Sequence, residues 1–194
     1  LSETMEFSSM TQPAFSILNG ATVSVTASSI SFRDFNSSSG VINRPSGSGT
    51  STVSLTATCS SGSCATSSSS PTSVPASNIG IYFADVQPLV YNTSSGTVNL
   101  VLEAPLSSIV FDRINGTNGG ALVLTSSTNL TLDTPLFVVG NSSSTTSGGA
   151  LLLDDINFAA FESVPNIKFL YNSAAVNGAP FMFDLDATRS AVPR

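Results

Sequence analysis

Residues 109–124 read Ile-Val-Phe-Asp-Arg-Ile-Asn-Gly-Thr-Asn-Gly-Gly-Ala-Leu-Val-Leu. Residues 135–153 repeat the plan as Pro-Leu-Phe-Val-Val-Gly-Asn-Ser-Ser-Ser-Thr-Thr-Ser-Gly-Gly-Ala-Leu-Leu-Leu. Each stretch is an apolar strand, an Asn (Asn115, Asn141), a few small residues, and a Gly-Gly-Ala-Leu that opens a second apolar strand. Looser copies occupy 30–42 with Asn36 and Gly40, 88–100 with Asn92 and Gly96, and 167–183 with Asn172 and Gly178. Gly96, Gly119, Gly148 and Gly178 thus recur at a nearly even interval. A period in the range of roughly 20–50 residues marks a solenoid, in which each turn buries its apolar face only against its neighbours. The expected fold is all-β, a parallel β-helix. Its corners would be Gly and Asn, the residues most tolerant of left-handed backbone, and stacked Asn would form a ladder along the axis. In this alignment Phe32, Phe111, Phe137 and Phe169 stack inside, with Val90 in the slot of the second copy.

Working outward, residues 21–35 alternate, with Val23, Val25, Ile30 and Phe32 on one side and hydroxyls on the other, as a half-buried strand pair turning near Ser28-Ser29 does. Short strands are expected at 79–83, 97–102, 108–114, 120–125, 129–132, 135–139, 149–153, 166–171 and 180–185. Residues 154–163 carry a loose helical pattern of Ile156, Phe158 and Phe161. The domain reading is a cap or extended arm at 1–20, one solenoid domain at 21–186 with a Ser/Thr/Pro-rich insertion at about 45–77, and a tail at 187–194. Opening on Leu1 without Met, the chain reads as a piece of a longer precursor.

Charged residues make up 9% of the 194, far below the roughly 25% of an ordinary soluble domain. Ser and Thr fill the vacated surface. One lysine, Lys168, five scattered arginines and a net charge of −6 leave no basic stripe for nucleic acid. No apolar run approaches the ~18 residues of a membrane span. Cys59 and Cys64 bracket Ser-Ser-Gly-Ser, and a local disulfide there points to an oxidising, extracellular or cell-surface location.

Gly-Gly-Ala-Leu at 119–122 and 148–151, with Phe169-Leu-Tyr-Asn172, resembles the Gly-Gly-Ala-Ile and Phe-x-x-Asn repeats of chlamydial polymorphic outer-membrane proteins. Similar repeats occur in extracellular parallel β-helix proteins of the pectin-lyase-like class. The resemblance covers about 88–183 and implies a right-handed β-helix displayed outside the cell for adhesion.

Candidate chemistry is sparse. Asn-x-Ser/Thr sequons stand at Asn36, Asn92, Asn115, Asn129 and Asn141. With 14 Asn and this much Ser and Thr, about four are expected by chance, so position counts for more than number. Four of the five share the corner slot, which a structural Asn fills equally well. The clustered carboxylates are Asp154-Asp155 and the pair Asp184 and Asp186. β-helix polysaccharide hydrolases use convergent Asp residues as acid and base, and the likeness to that class implies a His and basic residues as well. This chain has no His and one Lys, and a capping role at strand or helix ends accounts for the carboxylates. No calcium-loop motif, phosphate loop or nucleophile–imidazole pair occurs, so no catalytic, metal or cofactor residue is expected. The resulting expectation is a non-enzymatic extracellular structural or adhesive glycoprotein module that carries covalent glycans and self-assembles as a homo-oligomer or homopolymer. Two rivals stand beside it: a β-sandwich filament subunit of the pilus type that donates a strand from residues 1–20, and a carbohydrate-processing β-helix enzyme.

Overall fold

A computed structural model describes residues 3–35, 40–66, 74–86, 89–92, 95–116, 122–124, 128–144, 151–154, 164–175 and 181–184. Regular structure among them is almost wholly strand, with one 3₁₀ turn at Ala76–Asn78. The chain makes six similar passes. The first runs through β1 (Thr4–Ser8), β2 (Phe15–Ser16) and β3 (Thr22–Ala27), and the second through β4 (Ser29–Arg33), β5 (Ile42–Arg44) and β6 (Thr50–Ala57). The third holds β7 (Ile79–Ala84), β8 (Val90–Asn92) and β9 (Thr97–Glu103). The fourth holds β10 (Ser108–Asp112), β11 (Asn115–Gly116), β12 (Leu122–Leu124) and β13 (Thr128–Asp133). The fifth holds β14 (Leu136–Gly140), β15 (Ser143–Ser144) and β16 (Leu151–Asp154), and the sixth β17 (Ile167–Leu170), β18 (Ser173–Ala174) and β19 (Phe181–Asp184).

Each strand pairs in parallel with its counterparts on adjacent passes. A six-stranded sheet has the order β1-β4-β7-β10-β14-β17, and a four-stranded sheet the order β13-β9-β6-β3. Three smaller sheets are ordered β2-β5-β8, β11-β15-β18 and β12-β16-β19, and among the described residues no sheet closes into a barrel. Parallel pairing of this kind favours similar residues at each register position, since any mismatch recurs beside a neighbour.

The core follows those columns. Phe7, Phe32, Phe83, Phe111, Val139 and Phe169 occupy one register position through six strands. Phe32, Phe83 and Phe111 are fully buried and stack, with centroids 5.0 Å apart for Phe32–Phe83 and 4.6 Å for Phe83–Phe111. This corrects the alignment read from the sequence. Phe83, not Val90, fills the slot of the third pass, because Val90 pairs with Ile42 in another sheet. Phe137 is buried one position of the same face away, opposite Ile109, while Val139 takes the slot.

Two boundaries also move. Residues 4–8 and 15–16 are already strands of the first pass, docked on β4 and β5, although 1–20 is weakly patterned. Within 45–77, the alternation of Val53, Leu55, Ala57 and Cys59 reads as a strand, and residues 50–57 are that strand, with Val53, Leu55 and Ala57 buried. The long excursion is 58–78, which separates β6 from β7. The strands expected from 79 onward lie where the apolar runs placed them, within a few residues at each end. The stretch 155–163, like the tail at 187–194, lies outside the described residues.

Candidate functional site

At the end of the six-stranded sheet the chain turns sharply, and it does so the same way on every pass. Ser9, Asp34, Asp85, Arg113, Asn141 and Tyr171 each stand two residues beyond the phenylalanine column, and all have φ between 52° and 57°. Left-handed backbone at residues other than Gly costs about 1–2 kcal/mol each. Hydrogen bonds between passes hold it in place. The Ser9 amide donates to Arg33 O (3.1 Å), Asp34 to Ala84 O (3.2 Å), Asp85 to Asp112 O (3.2 Å), Arg113 to Gly140 O (3.1 Å) and Asn141 to Leu170 O (2.8 Å). Each bend is thus tied to the residue just before the next bend.

Three of these bends build a polar cluster. The Asp112 side chain is fully buried at the end of β10. Its Oδ1 accepts from Asn141 Nδ2 (2.9 Å), and its Oδ2 accepts from the Tyr82 hydroxyl (3.0 Å) and from Arg113 Nη1. Arg113 also donates from Nη2 and Nε to Asp85 (2.8 and 3.2 Å). Burial, followed by the neighbouring Asp112 carboxylate, pushes the Tyr82 phenol well above its usual range. The hydrogen bond to Asp85 raises Arg113 further, so it stays charged. Both oxygens of Asp112 are engaged, and the cluster braces three passes of the chain together.

A buried cation elsewhere was not legible in the sequence. Arg44 is fully buried and donates to Thr97 O (2.6 Å) and to Gly49 O, tying β5 to the starts of β6 and β9. Gly96 explains itself here. A Cβ at that position would collide with the Arg44 guanidinium and Gly49 O, so this repeat glycine serves close approach. Among the repeat glycines, Gly40 does adopt left-handed backbone, with φ 70°.

The predicted sites are scattered. Cys59 and Cys64 form a disulfide with Cα atoms 5.2 Å apart, at the root of the excursion and outside the apolar clusters. The sequon asparagines do not share one slot. Asn141 sits in the left-handed bend, Asn115 two residues past it in β11, and Asn92 in β8 of a different sheet. Asn129 lies on the outer face of the four-stranded sheet, where its Nδ2 donates to Asn99 Oδ1 (2.9 Å), the one Asn–Asn rung among the described residues. Asn36 lies outside the described residues. Asp154 and Asp184 are register partners at the ends of β16 and β19, while Asp155 and Asp186 lie outside the described residues.

Among the described residues, no three His, Cys, Asp or Glu side chains gather as a metal site would require, and no helix is long and apolar enough to cross a membrane. No protein family, curated relative or solved structure matches this chain.

Proposed function

We propose that this chain is a right-handed parallel β-helix serving as a non-enzymatic structural or adhesive module outside the cell, self-associating and glycosylated. The observation that carries this reading is the six-pass pairing. Every strand meets its own counterpart in parallel, the interior is filled by like residues in columns, and the polar clusters are consumed in bracing one pass to the next. A right-handed path is the hand that parallel crossovers adopt in nearly all cases. The parallel pairing, with β1 docked on β4 of its own chain, favours this architecture over a strand-donating sandwich. The disulfide and the hydroxyl-rich outer face of the four-stranded sheet suit an oxidising exterior.

Among the sequon asparagines whose side chains are described, exposed Asn115 and Asn129 are the better acceptors. The Asn141 amide is already bound to a buried carboxylate. The register pairing of Asp154 with Asp184 is the one observation that keeps a polysaccharide-processing enzyme as the rival.

Secretion from a eukaryotic host, with intact mass before and after deglycosylation and a solution-size measurement, tests the reading. The expected result is a glycan mass added to 19.8 kDa of protein and species larger than one chain. An unmodified monomer that releases reducing ends from a polysaccharide overturns it.

A further inference from the structure

Among the described residues, only the six-stranded sheet has a strand on every pass, so it is the sheet in which the first and last passes can be compared column by column. The column that begins at Met5 ends at Ile167, the one that begins at Glu6 ends at Lys168, and the one that begins at Phe7 ends at Phe169. Between its ends the first column is fully buried, whereas Met5 is 39% and Ile167 37% exposed. Among the described residues β1 and β17 are the two edge strands of this sheet, and both present the same order: an exposed apolar residue, a charge, then a half-buried phenylalanine. They differ in the sign of the charge. Lys168 is the only lysine of the chain, and it stands on the edge strand in register with a glutamate at the other edge.

Edge charges are the usual device against strand-to-strand association. Glu6 sets β1 against β1, and Lys168 sets β17 against β17, but neither opposes β1 beside β17. We propose that a second copy of this chain docks head to tail on the six-stranded sheet, its β1 running parallel to β17 with Met5 on Ile167, Glu6 beside Lys168 and Phe7 on Phe169. The contact would extend a ring stack already present at that end, where Phe7 lies 4.8 Å from Phe32 with planes 4° apart. Glu6 also meets Arg33 of its own chain, so the incoming lysine joins an existing ion pair. Such an interface is heterologous and does not close, so it grows a linear polymer. This inference rests on the self-associating module proposed above and specifies its contact.

Sedimentation of the disulfide-intact full chain over a concentration series tests it. Linear oligomers are expected at low salt. Lys168→Glu and Glu6→Lys should each weaken association by about tenfold or more through like-charge contact, with unchanged far-UV circular dichroism, and the double swap should restore it. Glu6→Cys with Lys168→Cys should oxidise to a covalent ladder. Glu6→Cys with Ile167→Cys should not, because a one-residue slip points the side chain to the other face. Oligomers indifferent to both charge changes would overturn this register while leaving a self-associating module. A monomer at every concentration that still adheres to surfaces would overturn the stacking and the self-association while leaving an adhesive module. A monomer with hydrolytic activity would overturn both.

Discussion

The first four passes of the chain each give a strand to the six-stranded and to the four-stranded sheet, yet the two sheets treat their outer faces in opposite ways. In β7 and β10 every residue is buried, whereas in β9 buried and half-exposed residues alternate. Inward, both sheets feed one apolar core. Outward, Tyr82, Val110 and Val138 join Val74 of the excursion in a second cluster, while Thr52, Ser54 and Thr56 face solvent on the other sheet. The consequence is electrostatic. Under cover, a carboxylate such as Asp112 must be given every partner it needs. On the open sheet Asp133 is exposed and water can serve it. Parallel stacking sets the backbone, and cover over the outer face decides which polar groups become structural.

The largest expected effect lies in the column that fills the shared core. Phe83→Ala, removing a ring stacked on both sides, should cost about 3–5 kcal/mol by denaturant unfolding. A cost below about 1 kcal/mol would mean the columns do not carry the fold. The contrast between the sheets is sharpest in a matched pair of changes. Asp112→Ala should cost about 2–3 kcal/mol, less than a wholly buried ion pair because Arg113 is partly exposed. Asp133→Ala should stay within about 0.5 kcal/mol, and equal costs would erase the distinction.

Removing the disulfide by Cys59→Ser with Cys64→Ser should cost at most about 2 kcal/mol, the value for so short a loop. If the excursion keeps the outer face covered, the Tyr82 phenol should also move down toward its ordinary range in an absorbance titration.

Alkaline pH gives a smaller effect. The folded chain holds the Tyr82 proton longer than the unfolded chain does, because burial and Asp112 raise its pKa. That stability is complete below pH about 10 and is lost as pH rises beyond it, with a slope of about 1.4 kcal/mol per pH unit. Tyr82→Phe should flatten that part of the stability curve, and an unchanged slope would remove Tyr82 as its source. Smallest of all, Ser54→Ala on the open face should change stability by less than about 0.5 kcal/mol.

Much of this is legible in the sequence. The spacing of Gly119, Gly148 and Gly178 and the apolar runs from Ile79 onward placed the strands, because a strand needs only local alternation or a short apolar run. Cys59 and Cys64, separated by 5 positions, could close a loop without help from the rest of the chain. The column partners were not legible. The excursion between β6 and β7 pushes Phe83 well beyond one period from Phe32, so a count of spacings passes over it and lands on Val90.

Nor did the corner residues announce themselves. Arg113 and Tyr171 have no local preference for left-handed backbone. Arg113 adopts it because the carbonyl that accepts its amide belongs to the next pass, and Tyr171 shows the same bend on the pass after Asn141. The sequence alone determined that this chain makes stacking strands with a neutral hydroxylated surface, since both follow from residue type and period. Tertiary structure alone decided which residues share a column, which bends turn left-handed and which carboxylate is buried, since each depends on a neighbour that belongs to a different pass of the chain.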